Sequence, residues 1–200
     1  MTTPIRKRSP RGQGEQLRRA LLDAAADVMA ETGDANLVSV RAVTRRAGVS
    51  PTAMYLHFPD RDALVHAACE AAFGELRGYL AAAAGEHAGD ATAQLRAMGL
   101  AYIRFALEHP GEYRAIFATR KLRGDEDAPP GEGAGKQAFM DLVAGVGRAR
   151  PDVADPLPTA VMLWTQLHGY VLLRATLPHF AWPDDEAIVD RLMDAYVVDR

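Results

Sequence analysis

A chain of 200 residues with 48% apolar and 24% charged side chains can bury a core, which excludes an intrinsically disordered protein. The net charge of -3 hides a division: residues 1–62 carry ten Lys/Arg against seven Asp/Glu, and the rest thirteen against nineteen, which puts any phosphate-binding surface at the N-terminal end. The single cysteine, Cys69, excludes an intrachain disulfide and suits a reducing cytoplasm.

Residues 1–12 hold Arg6, Lys7, Arg8 and Arg11 among Pro and Ser, and read as a disordered basic arm with no signal-peptide apolar run behind it. From Gln13 to about Thr32, Leu17, Leu21, Ala24, Ala25, Val28 and Met29 form one helical face closed by Gly33. Ser39 reads as the N-cap of a short helix to Arg46. A turn at Ala47-Gly48-Val49 follows, and Ser50 with Pro51 opens a second short helix. Two helices joined by a tight Gly-containing turn describe a helix-turn-helix, whose second helix enters the major groove of double-stranded DNA.

Asp60 caps a long helix to about Ala84, with Leu64, Ala68, Ala71, Ala72, Leu76 and Leu80 inward. Asp90 caps the next, whose stripe is Leu95, Met98, Tyr102 and Phe105, ending at His109-Pro110. A short helix from Gly111 carries Tyr113, Ile116 and Phe117. Residues 123–135 are acidic and rich in Gly and Pro, a mobile loop. Helices follow over about 136–149, 156–176 and 184–198. The chain is expected to be all-α with about nine helices: an arm over 1–12, a three-helix DNA-binding domain over 13–60, and a helical effector-binding and dimerisation domain over 61–200.

Residues 157–173 carry no charge, yet contain Pro158, Thr165, Gln166 and His168 and fall short of the roughly 20 residues a bilayer needs. No membrane partner is expected. A helix apolar around most of its circumference must be covered on two sides. With the last helix, whose stripe is Ile188, Val189, Leu192, Met193, Tyr196 and Val197, it is expected to pair across a two-fold axis into a homodimer.

The chemistry concentrates in the helix-turn-helix. Ser50, Pro51 and Thr52 occupy the first turn of the second helix, where small or hydroxylated residues can reach base edges. Ser39, Arg41, Arg45, Tyr55, His57 and Arg61 are placed for phosphates, with Arg46 beside them. Val40, Val43, Ala47, Val49, Met54, Leu56 and Phe58 read as packing. Packing would account for any one polar residue; together with the arm, the set points to DNA.

Catalysis finds no constellation. The three serines, Ser9, Ser39 and Ser50, lie in or near the DNA-binding region; Cys69 sits on a helix with no base in view; the six histidines show no metal-ligand spacing. His66 and Glu70 share a helix face as a solvated pair. Neither metal nor cofactor is expected.

Ser39-Val40, Ala47-Gly48-Val49-Ser50, Tyr55-Leu56-His57-Phe58 and Arg61-Asp62-Ala63-Leu64, with Leu21-Leu22-Asp23-Ala24-Ala25 before them, closely resemble the DNA-binding domain of the TetR family of bacterial repressors. Thr52 stands where many members have Gly, and Arg61 where Lys is common. Trp164-x-x-x-His168-Gly169, and His109-Pro110 before Tyr113-Arg114 and Phe117, resemble the C-terminal domain of one subgroup. Two readings of Trp164 and His168 stay open: a buried aromatic beside a histidine bonded to a carbonyl, or a pocket lined by Met98, Tyr102, Phe105, Phe117, Trp164 and His168 for a small-molecule effector. The resemblance implies a dimeric repressor on a near-palindromic operator, released by a small, largely apolar effector. The rival is a helical small-molecule-binding protein with a vestigial DNA-binding head.

Overall fold

The computed structural model describes residues 13–117 and 133–198, so the expected arm over 1–12 and residues 123–132 of the expected loop lie outside the described residues. Those described form nine α-helices and one 3-10 turn, with no strand among them. The first helix, α1 (Gln13–Thr32), ends where the Gly33 N–H donates to the Met29 carbonyl at 2.9 Å. After the 3-10 turn Ala35–Leu37 come α2 (Val40–Arg46) and α3 (Pro51–Tyr55). Gly48 supplies φ +69° at the turn between them, a backbone that L side chains rarely adopt.

Local chemistry starts these helices where the sequence places them. Ser39 Oγ accepts from the Ala42 N–H and Ser50 Oγ from the Ala53 N–H, both at 3.2 Å. Asp60 caps α4 (Arg61–Gly85) through the Ala63 N–H at 2.7 Å, and Asp90 caps α5 (Ala91–Glu108) through Ala93 at 2.9 Å. Then follow α6 (Pro110–Phe117), α7 (Ala134–Ala149), α8 (Leu157–Thr176) and α9 (Asp185–Tyr196). α7 begins two residues earlier than the sequence suggests. The reason is Glu70, which accepts from the Ala134 N–H at 2.8 Å, so this carboxylate serves a helix start as well as the solvent.

Two apolar cores share one helix. Leu64, Val65, Ala68 and Cys69 of α4 join α1, α2 and α3 in the first core; Ala72 and Leu76 of α4 join α5 to α9 in the second. The cores therefore divide within α4, between Cys69 and Ala72, and not at residue 60. Ala71, expected inward, is exposed there. α6 rests on α1 close enough that a Cβ at Gly111 would lie 3.7 Å from the Ala30 Cβ. No helix among the described residues is long and apolar enough to cross a membrane.

Candidate DNA-binding face and effector cavity

On the head, Ser39, Arg41, Arg45, Ser50, Pro51, Thr52 and Tyr55 are all exposed, and His57 is half-buried with its ring beside Gly14 at the start of α1. Both capping serines accept through Oγ and keep their own O–H to donate. Two arginines are otherwise engaged. Arg61 donates from Nε to the Val38 carbonyl at 2.8 Å and bonds the Ala35 carbonyl and Asp62, tying the α1–α2 connection to α4. Its guanidinium is held by partners inside the domain, which gives it a structural role beside the phosphate contact expected of it. Arg46 pairs with Asp27 at 3.1 Å and with Glu31, binding α2 to α1. Leu56 is 69% exposed, so it is not a packing residue as its apolarity suggests. Arg18, which periodicity alone leaves on a solvated face, lies over the Phe58 ring, 5.3 Å from its centroid.

In the body, a cavity of about 360 Å³ lies between α4, α5, α7, α8 and α9, with the end of α6 at its wall. Of the six residues expected to line an effector site, Met98, Tyr102, Phe117 and Trp164 do. Phe105 does not: it is 1% exposed and stacks on His109 with centroids 5.1 Å apart, on another side of α5. His168 is not in the lining but stands behind it, its ring 4.3 Å from Phe117. Sequence reasoning missed Phe73, Leu80, Phe139 and Leu192, which also line the cavity. Each lies on a helix whose stripe shows that it is covered, without showing by which neighbour. Leu192 matters most here, since it was expected at a subunit interface.

One wall of the cavity backs on a polar cluster. The Tyr113 hydroxyl is hydrogen-bonded to His168 Nδ1 at 2.7 Å, while the Tyr102 hydroxyl is 3.0 Å from that of Tyr113 and 3.2 Å from the same nitrogen. His168 thus bonds two tyrosines, not a carbonyl, and joins α8 to α5 and α6. Burial pushes the Tyr102 hydroxyl up to about 12 and raises Tyr113 as well. Both phenols stay protonated and able to donate at neutral pH.

Burial also holds the His168 imidazole below its ordinary 6.5. The unfolded chain then takes up this proton at a higher pH than the folded one. The associated stability is complete above the unfolded value and declines as pH falls towards the folded one. The melting temperature of the wild type should fall more steeply between about pH 7.5 and 5.5 than that of His168→Gln, whose amide can still accept from Tyr113 but does not titrate. Parallel slopes would show that His168 is not the group responsible.

Among the described residues no group of three or more His, Cys, Asp or Glu could hold a metal ion. The Cys69 thiol is buried against Met29 Sδ at 3.8 Å.

Comparison with known proteins agrees with both halves. A family model described as bacterial regulatory proteins, tetR family, matches residues 21–68, and one described as tetracyclin repressor-like, C-terminal domain, matches residues 95–196. An uncharacterized HTH-type transcriptional regulator of Haemophilus influenzae is 44% identical over 52 residues, 26% of this chain; the match spans only a quarter (25%) of that relative. Among solved structures, a protein of unknown function from Rhodococcus sp. RHA1 is 28% identical with a TM-score of 0.71, over 94% of this chain and 96% of that one. A TetR family transcription regulator from Marinobacter aquaeolei VT8 has a TM-score of 0.77 at 20% identity, over 95% and 100%, a likeness of fold. A head built as a helix-turn-helix and a body matched from α5 to the end of α9 settle the assignment: the chain belongs to the TetR family of transcriptional regulators.

Proposed function

We propose that the protein is a repressor that binds a near-palindromic operator as a homodimer and is released by a small, largely apolar effector held in the body cavity. One observation carries this reading. α4 supplies Leu64 to Cys69 to the head core, and its second half supplies Phe73, Leu76 and Leu80 to the cavity wall. A ligand that favours a different seating of α4 therefore changes the pose of the head and, in a dimer, the separation of the two recognition helices. Successive major-groove faces require them about 34–36 Å apart. An effector with unequal affinity for the two poses shifts their populations and so lowers operator affinity.

The dimer face is supplied by α8. Val161, Met162, Thr165, Leu172 and Leu173 are exposed there, and nothing lies within 4 Å of a Cβ built on Gly169. The apolar stripe of α9 packs inward on its own subunit, leaving Ala187, Arg191, Asp194 and Ala195 outward. In this reading α8 contributes the apolar part of the interface, and α9 its small and charged border.

The test is operator binding by fluorescence anisotropy, with a DNA fragment bearing an inverted repeat, titrated with cavity ligands. A ligand that occupies the cavity and leaves operator affinity unchanged refutes the coupling. On the head, Thr52→Ala should alter discrimination at one or two base pairs by about 1–3 kcal/mol. Tyr55→Phe should weaken binding to all sequences alike, through a lost phosphate contact. Deleting residues 1–12 should flatten the dependence of log K on log salt, because fewer counterions are released. Unchanged affinity and slope in these three proteins would place the DNA contacts elsewhere.

A further inference from the structure

The cavity differs from a pocket with polar handles in a way that narrows what it can hold. No residue lining it is charged. Its polar side chains are Tyr102 and Trp164. The Tyr102 hydroxyl is already engaged with Tyr113 and His168. Among the described residues no buried side-chain nitrogen or oxygen lacks a hydrogen-bond partner. The three side chains Tyr102, Tyr113 and His168 therefore satisfy one another, and the rest of the lining, the Trp164 indole apart, is hydrocarbon. Arg77, Asp141 and Arg148 line a neighbouring groove that shares Leu80, Met98 and Ala138 with the cavity; Arg77 and Asp141 pair at 2.9 Å, and none of the three charges lies in the cavity lining itself.

Resting on the effector reading above, we infer that the ligand is an uncharged, hydrocarbon-rich molecule of about two-ring size that makes no hydrogen bond in the cavity, and that the site rejects its carboxylate and ammonium analogues. The size follows from volume. An apolar cavity of about 150 Å³ holds one benzene, so about 360 Å³ admits two six-membered rings with small substituents. The chemistry follows from what burial removes. A hydroxyl taken from water without a partner loses its hydration for nothing, and an ion does so at far greater cost. Binding a hydrocarbon loses neither, and the surrounding Phe73, Phe117, Phe139 and Trp164 rings give it close contact.

The experiment uses the full chain and four probes of one shape: biphenyl, 4-phenylphenol, biphenyl-4-carboxylate and 4-biphenylmethylammonium, at neutral pH. Affinities are read by quenching of tryptophan fluorescence and by calorimetry. Biphenyl should bind tightest, 4-phenylphenol about tenfold weaker, and each ion weaker by roughly 100-fold or more. A phenol or an ion that binds as tightly as biphenyl overturns the inference while leaving the cavity as an effector site. Failure of all four to bind overturns the effector reading as well.

Discussion

Gly169→Glu is expected to separate the protein into monomers and to reduce operator affinity at least about 100-fold, while each subunit stays folded. Inside its own subunit a Cβ at this position has open space: apart from its chain neighbours and the backbone of its own helix, no atom lies within 4 Å. Replacing a mid-helix glycine should even favour α8, by up to about 1 kcal/mol. Across a two-fold axis the same carboxylate would be buried unpaired among Val161, Leu172 and their symmetry mates, at a cost of several kcal/mol. Sedimentation velocity gives the oligomeric state and far-UV circular dichroism the helix content. A variant that remains a dimer as tight as the wild type would move the contact off this face. Leu192→Glu, the substitution that the stripe of the last helix suggests, would be a poorer probe: Leu192 lines the cavity, so a charge there disturbs the cavity first.

The second large effect is on stability. Phe105→Ala should cost about 3–5 kcal/mol, a large part of the roughly 5–15 kcal/mol that holds a domain together. The ring is 1% exposed, stacked on His109, and meets Tyr79 edge-on at 5.5 Å. Urea unfolding should show a lower midpoint with an unchanged slope. Biphenyl affinity, measured where the variant remains folded, should match that of the wild type. A selective loss of ligand affinity with normal stability would return Phe105 to the binding site.

What was legible in the sequence was local. Ser39, Ser50, Asp60 and Asp90 stand where they do because a side-chain oxygen must satisfy the first N–H groups of a helix, and that requirement is met within three residues. Partnership across the fold was less legible. Phe105 and Met98 share the predicted stripe of α5, yet Met98 faces the cavity and Phe105 faces Tyr79 and His109, because the face is wide enough to meet two neighbours. Charge was ambiguous for the same reason. Arg45 and Arg46 are adjacent in α2, and only the second meets acids on α1, so a basic helix end read as one DNA-facing surface divides into a free face and a structural pair. Leu56 erred in the other direction: an apolar residue beside a buried Phe58 suggests packing, but the backbone turns it outward after α3 ends.

The sharing of α4 between two cores also fixes its length. Each residue advances the helix by about 100° and 1.5 Å. Inserting one residue between Cys69 and Ala72 would turn the cavity wall about 100° away from its partners, or else the head core from its own. Inserting seven would nearly restore the phase, with about 20° of drift, but would lengthen the helix by about 10 Å and lift α6 off Ala30 on α1. Side chains along this segment can therefore be exchanged far more freely than residues can be added or removed, and grafting this body onto another head requires a splice that keeps the helical count of α4.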